Sequence, residues 1–166
     1  MQKAGTKIFG RICFALFIWM LSDIGGDRAL AANAVTLNAE NKFTLTAPKG
    51  TKFIREQGVD SFVGKFTHPE FEIGFDYGWY SYSGSELTQD SRYTTRNVTI
   101  DRRPAAIITG PSREQSCKGQ YAGLFIPAVS MADGDPTRLY MRACVYDAER
   151  LPVLIGIFES LRFKKP

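Results

Sequence analysis

The residues whose types could do chemistry are few. The chain holds a single histidine, His68, set in Thr67-His68-Pro69-Glu70. A histidine can serve as a general base or a metal ligand, but Pro69 beside it predicts a turn between two strands, with the imidazole in water. A Ser-His-Asp set would have to be assembled around His68. Ser61, in Asp60-Ser61-Phe62-Val63-Gly64, lacks the Gly-x-Ser-x-Gly turn that exposes a hydrolase nucleophile. Glu72 and Asp76 share one strand face about 13 Å apart at the usual rise, wider than the glycosidase pairing of about 5–9.5 Å. Asp133-Gly134-Asp135 is a fragment of a calcium loop without its later glutamate, and it reads as a turn. There is no Cys-x-x-Cys, no His-x-x-x-His and no phosphate-cradling glycine loop. The residues predict no catalytic set, no cofactor site and no metal site. Asn97-Val98-Thr99 matches a glycosylation acceptor, but it falls inside an expected strand.

Two features stand out from this background. Cys117 and Cys144 are an even pair once the N-terminus is set aside, and in an exported chain such a pair reads as a disulfide. Tyr77, Trp79, Tyr80 and Tyr82 crowd together before a polar loop. Tyr77 and Trp79 continue an alternating apolar face, so Trp79 is expected inside. That leaves Tyr80 and Tyr82 at the surface as a recognition patch, able to stack on sugar rings or anchor a protein partner.

The compartment follows from the first thirty-odd residues. Lys3, Lys7 and Arg11 precede an unbroken apolar run from Ile12 to Leu21, and Ala29-Leu30-Ala31 supplies a small-x-small cleavage pattern. About ten apolar residues make a signal h-region, whereas a spanning helix needs about 20. Residues 1–31 are thus read as a cleavable signal peptide cut after Ala31, with Ala32-Asn33-Ala34 as the alternative. Residues 32–166 remain as one periplasmic or secreted domain with no stable membrane insertion. Cys13 lies at the start of the apolar run, not after it, which argues against a lipoprotein. Loss of the signal lowers the net charge from +4 to about +2. A charge so mild does not support nucleic-acid binding.

The elements that must position these residues are mostly strands. Lys42 to Thr46 alternates polar and apolar and is stopped by Pro48-Lys49-Gly50. Lys52–Glu56 and Val59–Phe66 are shorter candidates. Phe71, Ile73, Phe75, Tyr77 and Trp79 fall on one face of the strongest strand, with Glu72, Gly74 and Asp76 on the other. Ser81–Asp90 and Gly110–Gln120 read as exposed loops. Arg92–Ile100 with Pro104–Thr109, and Tyr121–Val129 with Leu139–Tyr146, read as hairpins. The period then changes, and Leu151, Leu154, Ile155, Phe158 and Leu161 predict one amphipathic helix over Glu149–Ser160, capped near Asp147. Leu161–Phe163 reads as a short final strand. The fold class expected is α+β: a mostly antiparallel sheet with the C-terminal helix packed on one face.

Phe43-Thr44-Leu45-Thr46-Ala47-Pro48-Lys49-Gly50, Val98-Thr99-Ile100-Asp101-Arg102-Arg103-Pro104-Ala105-Ala106 and Ile157-Phe158-Glu159-Ser160-Leu161-Arg162-Phe163 resemble the opening strand, central hairpin and closing helix and strand of Mog1/PsbP-like domains. Where those domains usually carry glycine in the central turn, this chain has Arg103. The resemblance implies an architecture and carries no activity across. Three functions remain open on these grounds: an exported binding domain for a protein or glycan partner, a structural or folding-assistance protein of the envelope, and an enzyme centred on His68. The absence of a catalytic set favours binding over catalysis.

Overall fold

The computed structural model describes residues 33–82, 85–113, 117–132 and 135–164. Residues 1–31, read above as a signal peptide cut after Ala31, and the turn residues Asp133 and Gly134 lie outside the described residues. In chain order the elements are β1 (Ala34–Ala39), β2 (Phe43–Pro48), β3 (Lys52–Arg55), β4 (Phe62–His68), β5 (Phe71–Gly78), α1 (Ser85–Thr88), β6 (Thr94–Ile100), β7 (Arg103–Pro111), β8 (Gln120–Ala132), β9 (Asp135–Val145), α2 (Leu151–Glu159) and β10 (Arg162–Phe163). They form a seven-stranded sheet in the order β3-β4-β5-β9-β8-β7-β6 and a three-stranded sheet in the order β1-β2-β10. Every pairing is antiparallel. The class is broadly α+β, dominated by antiparallel strands.

Strand alternation decides which side of the large sheet is filled. Phe66, Ile73, Phe75, Ala122, Leu124, Leu139 and Met141 point into one continuous core, which also takes Phe43 and Leu45 of β2 and Phe158 of α2. Phe43 is the joint between the two sheets. Its ring lies 5.2 Å from Phe75 and 6.3 Å from Phe163, edge-on to both, a favourable aromatic geometry. The helix is shorter than the periodicity predicts, and only Pro152 and Glu159 of it are exposed. It is enclosed on more sides than a helix laid on one face of a sheet. Asp147 does cap the preceding 3₁₀ turn, accepting from the Glu149 N–H at 2.9 Å. Among the described residues no helix is long and apolar enough to cross a membrane.

Several elements differ from the sequence pattern. The alternating run Val35-Thr36-Leu37-Asn38-Ala39 forms β1, a strand absent from the expected elements. It is held by the register Val35↔Ala47 to Ala39↔Phe43 and by a three-residue connection, 40–42, in which Glu40 and Asn41 take positive φ. β5 ends at Gly78, so alternation stops before Trp79, and that ring is 44% exposed instead of inside. The 81–90 segment is no bare loop. Ser81 is buried with its hydroxyl donating to the Asp76 carbonyl, and Leu87 of α1 is buried against Tyr93, Ile108 and Tyr121.

Candidate functional site

The second face of the large sheet carries a smaller and more polar assembly. On β5, Glu72, Gly74 and Asp76 point this way. On β9, Tyr140, Arg142 and Cys144 do, paired across β5 as Asp76↔Tyr140, Gly74↔Arg142 and Glu72↔Cys144. On β8 the residues are Tyr121 and Gly123, and on β7 they are Ile108 and Gly110. Tyr82, Glu86, Leu87, Tyr93 and Arg113 stand over this face and, with the strands, line a cleft of about 620 Å³.

Tyrosines make its walls. Tyr121 and Tyr140 are buried, and their hydroxyls meet at 2.6 Å. Tyr82 stands edge-on to Tyr140 at 5.0 Å, and Tyr93 edge-on to Tyr121 at 5.9 Å. The four rings form one connected row lining the cleft. Two glycines make the row fit. A β-carbon at Gly123 would run into the Tyr121 hydroxyl, and one at Gly110 into the Tyr93 ring; the bare backbone there lets the rings approach the sheet closely. Burial, followed by the neighbouring Tyr140, pushes the Tyr121 hydroxyl far above the ordinary tyrosine range.

Charges complete the lining. Arg113 is paired with Asp90 and sits over the Tyr93 ring at 5.3 Å. Asp90 also accepts from the Arg92 side chain at 2.7 Å and the Arg92 backbone at 3.0 Å, and these bonds hold its carboxyl well below the usual carboxylate range. Asp76 is different. It is half-buried at the edge of the cleft, its Oδ1 is shut off from solvent, and among the described residues that oxygen has no hydrogen-bond partner. A buried carboxylate oxygen without a donor is costly in a folded protein.

Cys117 and Cys144 form a disulfide beside this row, with their Cα atoms 6.3 Å apart, inside the usual range. Cys117 is buried, where an exposed loop was expected over 110–120. The two patch tyrosines are separated by the end of β5. Tyr82 enters the cleft. Tyr80, 78% exposed, joins Trp79, Val59 and Phe62 around a more open hollow of about 940 Å³. His68 is not in open water: its side chain is 12% exposed and its ring stacks on Phe71 at 4.8 Å. Nδ1 accepts the Glu70 backbone N–H at 3.3 Å, and the Glu70 carboxylate is 4.0 Å away. Among the described residues no group of three or more His, Cys, Asp or Glu could hold a metal ion.

Tyr93, Tyr121 and Tyr140 were not singled out by sequence reasoning, nor was Asp76 as a binding residue. The signal that marks them is phase. Tyr121 and Tyr140 fall between the core positions of their strands, and Asp76 and Tyr121 each lie two residues from a glycine on the same face, Gly74 and Gly123.

No family model matches the chain, and no curated protein is similar to it. A crystal structure at 1.50 Å of a protein from Bacteroides thetaiotaomicron VPI-5482 is similar in part, with 16% identity and a TM-score of 0.44 over 80% of this chain. The chain spans about half of that protein, 48% of its length.

Proposed function

We propose that this chain is an exported binding domain, periplasmic or secreted, whose partner or ligand enters the tyrosine-lined cleft on the second face of the seven-stranded sheet. One observation carries the reading. A cleft of about 620 Å³ holds four tyrosines in a row and a half-buried carboxylate, Asp76, with an unpartnered oxygen. Rings with a polar tip give large contact area at low cost in conformational entropy, and a few convergent polar groups fix orientation. Export is supported by the Lys-Arg, apolar, Ala29-Leu30-Ala31 pattern and by the disulfide, a bond that persists in oxidising compartments. The three segments that resemble Mog1/PsbP-like domains fall on β2, the β6–β7 hairpin and α2–β10, and they bear on the architecture alone.

The test is site-directed photo-crosslinking in intact cells. A photoreactive phenylalanine analogue placed at position 82 is expected to give a discrete adduct, while the same residue at the exposed positions 80 and 146 gives none. Adducts from 80 alone would move the recognition surface to the Trp79–Tyr80 hollow and sink the cleft reading.

A further inference from the structure

We infer that β6, the free edge of the seven-stranded sheet, pairs with β6 of a second copy of this chain, antiparallel and centred on Asn97, so that the two large sheets become one. This does not depend on the cleft being a ligand site.

An exposed strand edge is a row of unpaired N–H and C=O groups, and proteins ordinarily blunt it by shortness, charge, proline, a bulge or a cover. Three of the four strands that end the two sheets are treated in this way. β3 has four residues with a cation at each end, Lys52 and Arg55. β10 has two residues, and β1 lies in contact with β3. β6 has none of these devices. It runs for seven residues without proline or bulge. Residues 94–97 and Thr99 are exposed, and among the described residues no backbone group bonds its outer side. Thr94, Thr95, Val98, Thr99 and Ile100 are β-branched, the type that favours strand pairing. Its single charge, Arg96, is already paired with Glu159 at 2.6 Å.

The turn sets which backbone groups face outward. Asp101 and Arg102 make a two-residue turn closed by Ile100↔Arg103, and the residues that close such a hairpin exchange both of their bonds. Bonded pairs then alternate. Ile100, Val98, Arg96 and Thr94 direct their backbone groups to β7, while Thr99, Asn97 and Thr95 present theirs at the edge. These three positions are self-complementary about Asn97. Thr95 meets Thr99 of the second copy, Asn97 meets its own counterpart, and each such pair exchanges both bonds. Threonine pairs across strands are favourable, and on the other face Arg96 comes opposite Val98 of the second copy, so no like charges are directly opposed. The two-fold axis stands perpendicular to the sheet, which leaves both tyrosine clefts open on the same face. Strand contact alone is small beside the roughly 1,200 Å² of a stable interface, so the dimer is weak and forms as concentration rises.

Sedimentation equilibrium of the exported protein, from about 10 µM to about 1 mM, is expected to show a reversible monomer–dimer equilibrium. Asn97→Pro removes one outward N–H, and proline is tolerated where the N–H of an edge strand faces out. That variant is expected to keep its far-UV spectrum and to dimerise at least tenfold more weakly. Thr95→Lys with Thr99→Lys sets like charges opposite each other across the axis, and Thr95→Glu with Thr99→Glu does the same with the other sign. Each is expected to weaken self-association at least tenfold, and an equimolar mixture of the two to restore a dimer. Both sites are exposed, so these variants decide the matter should Asn97→Pro fail to fold. A protein that stays monomeric over the whole range overturns the inference. Dimer strength unchanged in both Asn97→Pro and the lysine variant would place the association elsewhere on the surface and overturn it too. Charge variants that do not recombine in the mixture would sink the pairing about Asn97, and the inference with it.

Discussion

Tyr121 and Asp90 show how single groups set up the cleft. The Tyr121–Tyr140 hydroxyl pair is buried and short, so Tyr121→Phe removes one bond and leaves Tyr140 with an altered partner set. The expected loss is about 1–2 kcal/mol, read by urea denaturation. Gly123→Ala is expected to cost more than Tyr121→Phe, because the new β-carbon occupies the place of the Tyr121 hydroxyl and the ring cannot shorten to avoid it. Equal or smaller loss in Gly123→Ala would mean that the ring does not lie where the packing puts it. Asp90 makes a pH prediction. Its folded-state pKa is depressed, first by the Arg92 side chain and backbone and then by Arg113. Its contribution is therefore fully present above the ordinary aspartate value of about 4 and is lost as the pH falls toward the lowered one. Asp90→Asn should be less stable than the parent at pH 6, and the difference should narrow steadily from pH 5 to pH 2. A gap that stays constant over that range would show that the carboxylate charge is not what holds Arg92 and Arg113.

The β6–β7 hairpin is the element whose local chemistry departs most from expectation. Its turn has no glycine, yet Asp101 and Arg102 take φ of 45° and 66°, the left-handed pair that a two-residue hairpin of the primed type requires. Asp101 is tied down by its side chain, which accepts from Arg103 Nη1 at 2.9 Å and from the Phe163 N–H at 3.0 Å. Among the described residues Arg102 makes no such bond, and it stays there under strain. Arg102→Gly produces an Asp-Gly turn and should raise stability by about 0.5–1 kcal/mol, seen as a higher thermal midpoint; a lower midpoint would show that Arg102 holds the turn by its side chain. Arg103→Lys should lower it, since Arg103 also donates to the Val129 carbonyl at 2.9 Å and covers the Phe163 ring at 4.5 Å. These two residues explain how much of the fold was legible. The Phe71–Tyr77 alternation and the hairpin across Asp101-Arg102-Arg103 were readable because each is a local pattern, although Arg103 already pairs with Ile100 and the turn is Asp101 and Arg102 alone. β1 was missed although its Val35–Ala39 alternation is local and its partner strand follows at once, whereas Leu87 owes its burial to Ile108 and Tyr121, far along the chain. At the cleft, only Tyr82 was readable as a surface ring. Tyr93, Tyr121 and Tyr140 are brought to it by strand order, which no local spacing encodes.

At the scale of the whole molecule the two faces of the large sheet are stabilised by different means. One face is closed by β1, β2, β10 and α2 over a continuous apolar core. The other, among the described residues, has the small cluster of Leu87, Tyr93, Ile108 and Tyr121, together with a disulfide that ties Cys117 to β9. Cys144 pairs with Tyr121 across β8 and β9, and Arg113 lies four residues before Cys117, so the bridge and the cleft share their supports. A cross-link spanning 27 residues contributes about 3.5 kcal/mol if it acts by restricting the unfolded chain. Replacing both cysteines by alanine should therefore lower global stability by that order. Because the main core does not contain the bridge, the same variant should keep its far-UV spectrum and lose near-UV tyrosine signal as the row Tyr82–Tyr140–Tyr121–Tyr93 loosens. A protein that melts at the same temperature with and without reductant would show that the two thiols are not joined, and the tyrosine cleft would then have to stand on α1 and Gly123 alone.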